Sequence, residues 1–241
     1  MLEFIEDIFN GITIKAPIKS SNFALELKEI IAFAKEAKKN LIWLTLTKKE
    51  GAAISTALDL GFIFHSCNKG ELVLVLKLKD VFVPFIPTHT VGVGGVVVTD
   101  GKILVIQEQI KSHRTIYKLP GGMVELSSSL EKSVVREVYE ETGIKTKLEK
   151  MVGVLNTHPY RFGKSNCYFV FKLTPLNFDI NIIDKDEIAQ ALWLDLDEFF
   201  TNKEISTFQK EVVKSAIDGK GLSKVASSDY FENKEFVELY L

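Results

Sequence analysis

The feature that most constrains this chain is an acidic segment with helical spacing, residues 121–144. Apolar residues recur along one helix face of the segment, while Glu137, Glu140 and Glu141 stand at i, i+3 and i+4. This spacing predicts a helix that buries a hydrophobic stripe and presents three carboxylates on another face. Gly143 is expected to end the helix, because glycine adopts the left-handed conformation of a C-terminal cap.

The clustered carboxylates indicate a metal site. Like charges at these spacings repel by roughly a few tenths of a kcal/mol per pair, so a compensating cation is expected. Oxygen ligands favour Mg²⁺ or Mn²⁺, and Mg²⁺ commonly binds through a few carboxylates together with substrate phosphates. The alternative is a solvated glutamate-rich helix face. That alternative does not explain the preceding Leu-Pro-Gly-Gly at 119–122 or the pair Arg136 and Glu137.

The same segment resembles the Nudix box, G-x5-E-x7-R-E-U-x-E-E-x-G-U, in which U is aliphatic. The residues that match the box are Gly122, Arg136, Glu137, Val138, Glu140, Glu141, Gly143 and Ile144. Ser128 stands where the box has its first glutamate. We expect Ser128 and Glu131 to form a capping box at the start of the helix. Glu125 and Glu131 are nearby acids that can substitute for the missing glutamate.

This resemblance implies hydrolysis of a nucleoside diphosphate linked to another group, with water attacking phosphorus and a divalent metal ion, Mg²⁺ or Mn²⁺, as cofactor. It implies catalytic roles for Arg136, Glu137, Glu140 and Glu141, in which Arg136 orients Glu137. Metal binding is expected at the three glutamates and at Gly121. The glutamate that accepts the proton is left unassigned, because it varies within the family.

Substrate contacts are predicted at two places. Gly121 and Gly122 are expected to support the phosphates through their backbone N–H groups. Tyr160, Arg161 and Phe162 lie on a loop that commonly borders the substrate in this family, where an aromatic ring can stack on a base and arginine can meet phosphate. A simple exposed turn is the alternative for this loop.

Glu187 is a further candidate, since some Nudix enzymes place another acid in this region. A capping or surface glutamate is the favoured alternative.

Gly92, Gly94 and Gly95 invite comparison with a dinucleotide-binding fingerprint, but a strand continues where a helix should begin. Glycines that permit close packing of a strand are the favoured interpretation.

The fold class predicted from these patterns is α/β. Residues 1–80 alternate strand and helix patterns and predict a small α/β domain, 81–87 form a proline-containing linker, and 88–241 form a Nudix α/β/α sandwich with a mixed sheet. The first domain weakly resembles half of a GNAT acetyltransferase, but no phosphate-binding loop precedes its second helix. It better resembles the extra N-terminal domain of some Nudix proteins, through Trp43-Leu44 and Gly61-Phe62.

Composition narrows the function classes. The net charge is −2, from 30 basic and 32 acidic residues. The composition therefore lacks the excess of basic charge that is typical of proteins that bind nucleic acid or a membrane surface. The acidic N-terminal segment and the lack of a run of ~18 apolar residues predict a cytoplasmic protein. Cys67 and Cys167 have no metal or redox spacing and are expected to be buried free thiols.

Together these observations favour Mg²⁺-dependent pyrophosphohydrolysis of ADP-ribose or an NADH-like dinucleotide by a homodimer. The substrate class rests on the family resemblance. One alternative is a Nudix-derived binding or regulatory protein whose catalysis is weakened by Ser128. Another is the hydrolysis of oxidised nucleoside triphosphates, which the extra N-terminal domain disfavours.

Overall fold

The computed structural model describes residues 2–18, 22–68, 70–109, 117–225 and 236–241. The chain divides into two compact units, Met1–Pro87 and Thr88–Leu241. The expected linker, 81–87, falls at the end of the first unit. Within the described ranges, no helix is both long and apolar enough to cross a lipid bilayer.

The first unit is a sheet covered by two α-helices. Its strands are β1 (Ile5–Glu6), β2 (Ile12–Lys15), β3 (Leu41–Thr47), β4 (Ile63–Asn68) and β5 (Glu71–Lys77). Its helices are α1 (Phe23–Glu36), a 3-10 turn (Lys48–Glu50) and α2 (Ala53–Asp59). The strand order is β1-β2-β3-β5-β4, with β2 parallel to β3 and the other pairs antiparallel. The predicted α/β architecture of this unit is confirmed.

Helix α1 packs on this sheet through the apolar face that its spacing predicts. Leu27, Ile30 and Ala34 of α1 are buried in the core of the unit.

The prediction that Cys67 is a buried thiol is wrong, because β4 is an edge strand and Cys67 is exposed on it. Cys167, in the second unit, is half-buried, so the prediction fails there as well.

The second unit is built on a mixed six-stranded sheet. Its strands are β6 (His89–Thr99), β7 (Lys102–Glu108), β8 (Gly121–Met123), β9 (Thr146–Thr157), β10 (Ser165–Pro175) and β11 (Ile188–Asp195). Five of them run in the order β11-β7-β6-β10-β9, and β8 pairs with β6. β10 runs parallel to β6, whereas the other pairs are antiparallel.

Helices cover both faces of this sheet. They are α3 (Leu130–Thr142), α4 (Leu196–Thr201) and α5 (Thr207–Ile217), and a 3-10 turn spans Arg161–Gly163. Val93 and Val97 of β6 pack in the core beneath α3, whereas Val96 packs in the core beneath α4 and α5. Because successive strand residues face opposite sides, one strand serves both cores. The predicted α/β/α sandwich is confirmed.

The C-terminal residues form a short ribbon. Its strands are β12 (Lys224–Val225) and β13 (Leu239–Tyr240), which pair antiparallel. The ring of Tyr240 packs 5.6 Å from that of Phe171 in the core beneath α3. The ribbon therefore packs on the second unit through Tyr240.

The glycines of β6 permit close packing, as the favoured interpretation states. A Cβ at Gly92 would lie 2.8 Å from Cδ2 of Tyr168, and one at Gly94 would lie 2.1 Å from its Oη. On the opposite face, a Cβ at Gly95 would lie 2.7 Å from Cγ2 of Val138 in α3. Both layers of the sandwich therefore approach this strand more closely than a side chain there would allow.

The two ends of α3 differ in how well local sequence predicts them. Gly143 adopts φ +76° and ends the helix as expected. At the other end, Ser129 is the N-cap, and its hydroxyl accepts a 3.3 Å hydrogen bond from the N–H of Lys132. The predicted cap at Ser128 is wrong, because Ser129 has the extended backbone that a cap requires. The Ser128 hydroxyl lies 2.8 Å from that of Ser133 instead.

Candidate active site

A cavity of about 540 Å³ opens in the second unit. Its wall combines residues from β6, β8 and β10, the loop after β9, and the start of α5. The charged residues that line it are Glu108, Lys118, Glu137, Arg161 and Glu187. A cavity of this size with a few convergent polar groups is typical of a small-molecule site.

Helix α3 directs its predicted site residues to different places. Glu137 lines the cavity. Glu141 is 3% exposed, and its Oε2 accepts a 2.7 Å hydrogen bond from the N–H of Gly121. Glu140 lies outside the cavity wall and is paired with Arg136. Only part of the predicted acidic face is therefore directed at the cavity.

Arg136 holds two of these carboxylates at once. One guanidinium nitrogen lies 2.7 Å from Oε1 of Glu137 and the other 2.6 Å from Oε2 of Glu140. Because the planar guanidinium has a fixed fork of donors, it sets the orientation of both side chains. The contact between Arg136 and Glu137 that the resemblance implies is present in the structure.

The glycines of β8 allow α3 to approach the cavity. A Cβ at Gly122 would lie 2.6 Å from the carboxylate of Glu137, and one at Gly121 would lie 2.2 Å from the carbonyl oxygen of Val93. Gly121 also has φ +154°, which side-chain-bearing residues rarely adopt. Larger residues at either position would displace β8 or the acid that lines the cavity.

Burial alters the proton affinity of the acids. Burial is the main cause that raises the pKa of Glu141 to about 8; the charges of Glu137 and Glu187 also raise it, whereas the hydrogen bond from Gly121 and the charge of Lys118 lower it. Burial also raises the pKa of Glu137, although Arg136 opposes this. A carboxylate with a raised pKa can accept a proton at neutral pH, which suits it to acid–base chemistry.

The acidic residues fit a divalent cation in chemistry, although their ligand geometry is not assembled. Among the residues that the structure describes, no three His, Cys, Asp or Glu side chains converge closely enough to hold a metal ion. The reason is that Arg136 binds Glu137 and Glu140, while Glu141 is bound to the backbone. The donors are nevertheless carboxylate oxygens, which are the hard ligands that Mg²⁺ and Mn²⁺ prefer. The metal-binding role of Gly121 stays a prediction.

The predicted substrate loop is divided by the structure. Tyr160 and Arg161 line the cavity, and the guanidinium carbon of Arg161 lies 5.8 Å from the ring centroid of Tyr160. Phe162 is 97% exposed and lies outside the cavity wall, contrary to its predicted role. The backbone of Phe162 adopts φ +54° in the 3-10 turn between β9 and β10. Glu187, for which a surface role was the favoured alternative, does line the cavity.

Several cavity residues escape sequence reasoning. Lys118 and Glu108 form an ion pair in the wall. Gln209, in the first turn of α5, accepts a 3.0 Å hydrogen bond from the N–H of Leu119. Tyr168 lies against the glycines of β6. The available signal was two glycines alternating on one face of a strand, which predicts a bulky neighbour without identifying it.

Comparison with known proteins finds matches to Nudix proteins for both units of the chain. The family model described as NUDIX domain matches residues 88–216, and one described as Nudix hydrolase domain matches residues 2–78. Nudix hydrolase 2 of Arabidopsis thaliana is 30% identical, and the alignment covers 91% of this chain and 83% of that protein. Nucleoside diphosphate-linked moiety X motif 6 of Homo sapiens is 28% identical, with 91% and 73% covered. A solved NUDIX hydrolase from Nitrosomonas europaea is 25% identical, with a TM-score of 0.48, and the match covers 62% of this chain and 98% of that one.

Proposed function

The chain belongs to the Nudix hydrolase family, and from this membership we propose that it hydrolyses the diphosphate bond of ADP-ribose or an NADH-like dinucleotide. The family acts on nucleoside diphosphate-linked compounds with divalent metal ions. The observation that carries the proposal is the wall of the 540 Å³ cavity, where Glu137 lies with Lys118, Arg161 and Tyr160. The cavity wall therefore combines acidic side chains, basic side chains and an aromatic ring. These are the groups that would bind a metal ion, a phosphate group and a nucleobase, respectively.

The diphosphate is proposed to lie between β8 and the basic side chains. Gly121 and Gly122 line this part of the cavity, but Val93 and Glu137 fill the space on their side-chain positions, and the N–H of Gly121 donates to Glu141. Lys118 and Arg161 provide positive charge on the cavity wall. Glu108 pairs with Lys118 and so reduces the positive charge that Lys118 offers, which leaves Arg161 as the basic group on the wall without an acid partner among the residues that the structure describes.

Glu137, Glu140 and Glu141 are the residues that we propose hold Mg²⁺ or Mn²⁺. A bound divalent cation supplies charge neutralisation on the phosphoryl oxygens and lowers the pKa of water. Arg136 orients two of these acids through its fork of hydrogen bonds. Because it lines the cavity and its pKa is raised, Glu137 is the candidate to accept the proton of the attacking water.

The nucleoside is proposed to bind at the aromatic side of the cavity. Tyr160 lies on the loop after β9, and Phe208 lies at the start of α5. Aromatic rings stack on any nucleobase, so this wall secures the nucleoside while the diphosphate is placed at the acids. Such stacking suits a dinucleotide or ADP-ribose.

A substrate panel tests the proposal. ADP-ribose, NADH and an oxidised nucleoside triphosphate would be incubated with the full chain and Mg²⁺ or Mn²⁺, and AMP or pyrophosphate release measured. We expect AMP from ADP-ribose or NADH, and its loss in Glu137→Gln but not in Glu198→Gln, an exposed acid on α4. Preferred turnover of the triphosphate would favour a sanitising role. Binding without turnover of any compound would favour the weakened binding protein.

We further propose that the protein acts as a cytoplasmic homodimer. Exposed apolar side chains in the second unit, including Val154 and Phe178, supply surface that a second copy could bury. Light scattering of the full chain at several concentrations measures the assembly. A monomer at every concentration would contradict the dimer, and cell fractionation tests the location.

A further inference from the structure

Tyr168 is held rigidly at the cavity wall. Its ring lies against the β6 glycines, where ideal Cβ atoms at Gly92 and Gly94 would collide with it. The ring centroid of Phe208 lies 6.4 Å away in an edge-to-face arrangement. The ring packs against Gly92 and the hydroxyl oxygen packs against Gly94, but this packing leaves the O–H donor of the tyrosine unused.

The hydroxyl lies beside the acidic part of the site. A Cβ at Gly121 would be 3.0 Å from Oη of Tyr168, and the N–H of Gly121 donates to Glu141. Among the residues that the structure describes, the Tyr168 hydroxyl has no hydrogen-bond partner. Tyr168 and Glu137 both line the cavity, so a polar group that binds there has access to this hydroxyl.

We propose that the Tyr168 hydroxyl is a substrate-binding group that donates a hydrogen bond to a phosphoryl oxygen of the bound diphosphate. The proposal rests on the proposed function and adds a residue to it. A phenol is protonated at neutral pH and therefore offers a donor to an anion. Burial, together with the charges of Glu141 and Glu137, raises the pKa of Tyr168 further, so the donor persists at higher pH.

A neutral donor has a particular value at this position. A charged Glu137 repels a phosphate group, and Lys118, one of the two basic groups on the wall, is already paired with Glu108. A phenol presents a donor without another formal charge, and its ring is held by packing. Hydrogen bonds to charged groups are stronger than those between neutral groups, so a phosphoryl oxygen is a favourable acceptor.

Tyr168→Phe tests the role, because it removes one oxygen and keeps the ring that packs on the glycines. The probes are α,β-methylene-ADP, whose diphosphate resists hydrolysis, and the best substrate of the panel. We expect binding of α,β-methylene-ADP in the presence of Mg²⁺ to weaken about tenfold or more, and kcat/KM to fall by a similar factor. Tyr139→Phe, at an exposed position on α3, is the matched control and should behave like wild type.

The outcomes separate this inference from the proposed function. If wild type binds the analogue but hydrolyses no compound, a loss of binding in Tyr168→Phe still supports the hydroxyl contact while the hydrolase proposal fails. If wild type is active and Tyr168→Phe equals it in binding, kcat and KM, the contact is overturned and the proposed function stands. If wild type neither binds the analogue nor hydrolyses any compound, both are overturned; if it hydrolyses a substrate without binding the analogue, an unchanged kcat/KM of Tyr168→Phe on that substrate overturns the contact.

Discussion

Glu238 accepts a 2.6 Å hydrogen bond from the backbone N–H of Leu130, the first residue of α3, although 108 positions separate them in the chain. The other carboxylate oxygen accepts from the N–H of Glu131 at 3.1 Å. Lys224 lies 3.5 Å from the same carboxylate, and the hydroxyl of Tyr240 donates to it at 3.2 Å. A carboxylate at a helix N-terminus satisfies free N–H groups and interacts favourably with the helix dipole. The C-terminal ribbon thus stabilises the helix that carries the site.

The first prediction concerns this contact. Glu238→Ala should lower the free energy of unfolding by about 1–3 kcal/mol, because two N–H groups lose their acceptor. Urea denaturation measures the change. Glu211→Ala, at an exposed position on α5, is the control and should be close to wild type. Equal stability of the two variants would show that water caps the helix equally well.

The second prediction separates catalysis from folding. Glu137→Gln should lower kcat by about 100-fold or more, the usual contribution of a general acid or base. Stability should change little, since the loss of the pair with Arg136 is offset by the removal of a partly buried charge. Turnover and melting temperature are measured beside Glu140→Gln, which should also lose activity. Full activity in both variants would place the chemistry elsewhere.

The third prediction uses the raised pKa of Glu141. Because the folded-state pKa is about 8 and the ordinary value is 4.5, the folded state binds the proton more tightly over this interval. The contribution of Glu141 to the free energy of unfolding is therefore fully present below about pH 4.5. It is lost as the pH rises toward 8, and the free energy of unfolding then falls by at most about 1.4 kcal/mol per pH unit. Urea denaturation of the metal-free protein should show this slope, and Glu141→Gln should reduce it. An identical slope in the variant would contradict the assignment.

The fourth prediction concerns the departure from the family motif. Ser128→Glu should tighten Mg²⁺ binding and raise turnover, because it adds a carboxylate near the acidic helix. Since Ser129 is the cap, the substitution loses the contact with Ser133 and a 3.5 Å hydrogen bond to the carbonyl oxygen of Ser129, together about 1 kcal/mol. Ser128→Gln has similar size without the charge and is the matched control. If both variants show the Mg²⁺ dependence of wild type, the site is already complete without this acid.

The fifth prediction concerns the first unit. The residues that line the cavity all lie within the second unit, Thr88–Leu241, which has its own core. A fragment 88–241 should therefore retain kcat within a few-fold of the full chain, whereas its solubility or assembly can change. Kinetics and sizing of the fragment are compared with the full chain. A fragment that binds α,β-methylene-ADP without hydrolysing substrate would show that the first unit completes the site.

The sequence alone determined the features that depend on neighbouring residues. The 3.6-residue period predicted α3 and the carboxylates it carries, and Gly143 predicted its end. Strand and helix patterns predicted the α/β class of the chain, whereas β1 and β8, of two and three residues, are too short to show a period. The motif that includes Gly122 and Arg136 identified the family, because its spacing is local.

Tertiary structure decided the features that depend on distant pairings. The parallel register places Tyr168 of β10 opposite Gly92 of β6, and nothing in either strand specifies that pairing. Glu238 caps α3 from the far end of the chain, and Phe162 is exposed to solvent although Tyr160 and Arg161 line the cavity. The local period of apolar residues predicts which face of a helix or strand is buried. Which partner covers that face depends on long-range packing of the whole domain, so the wall of the cavity emerges only when the sheet is assembled.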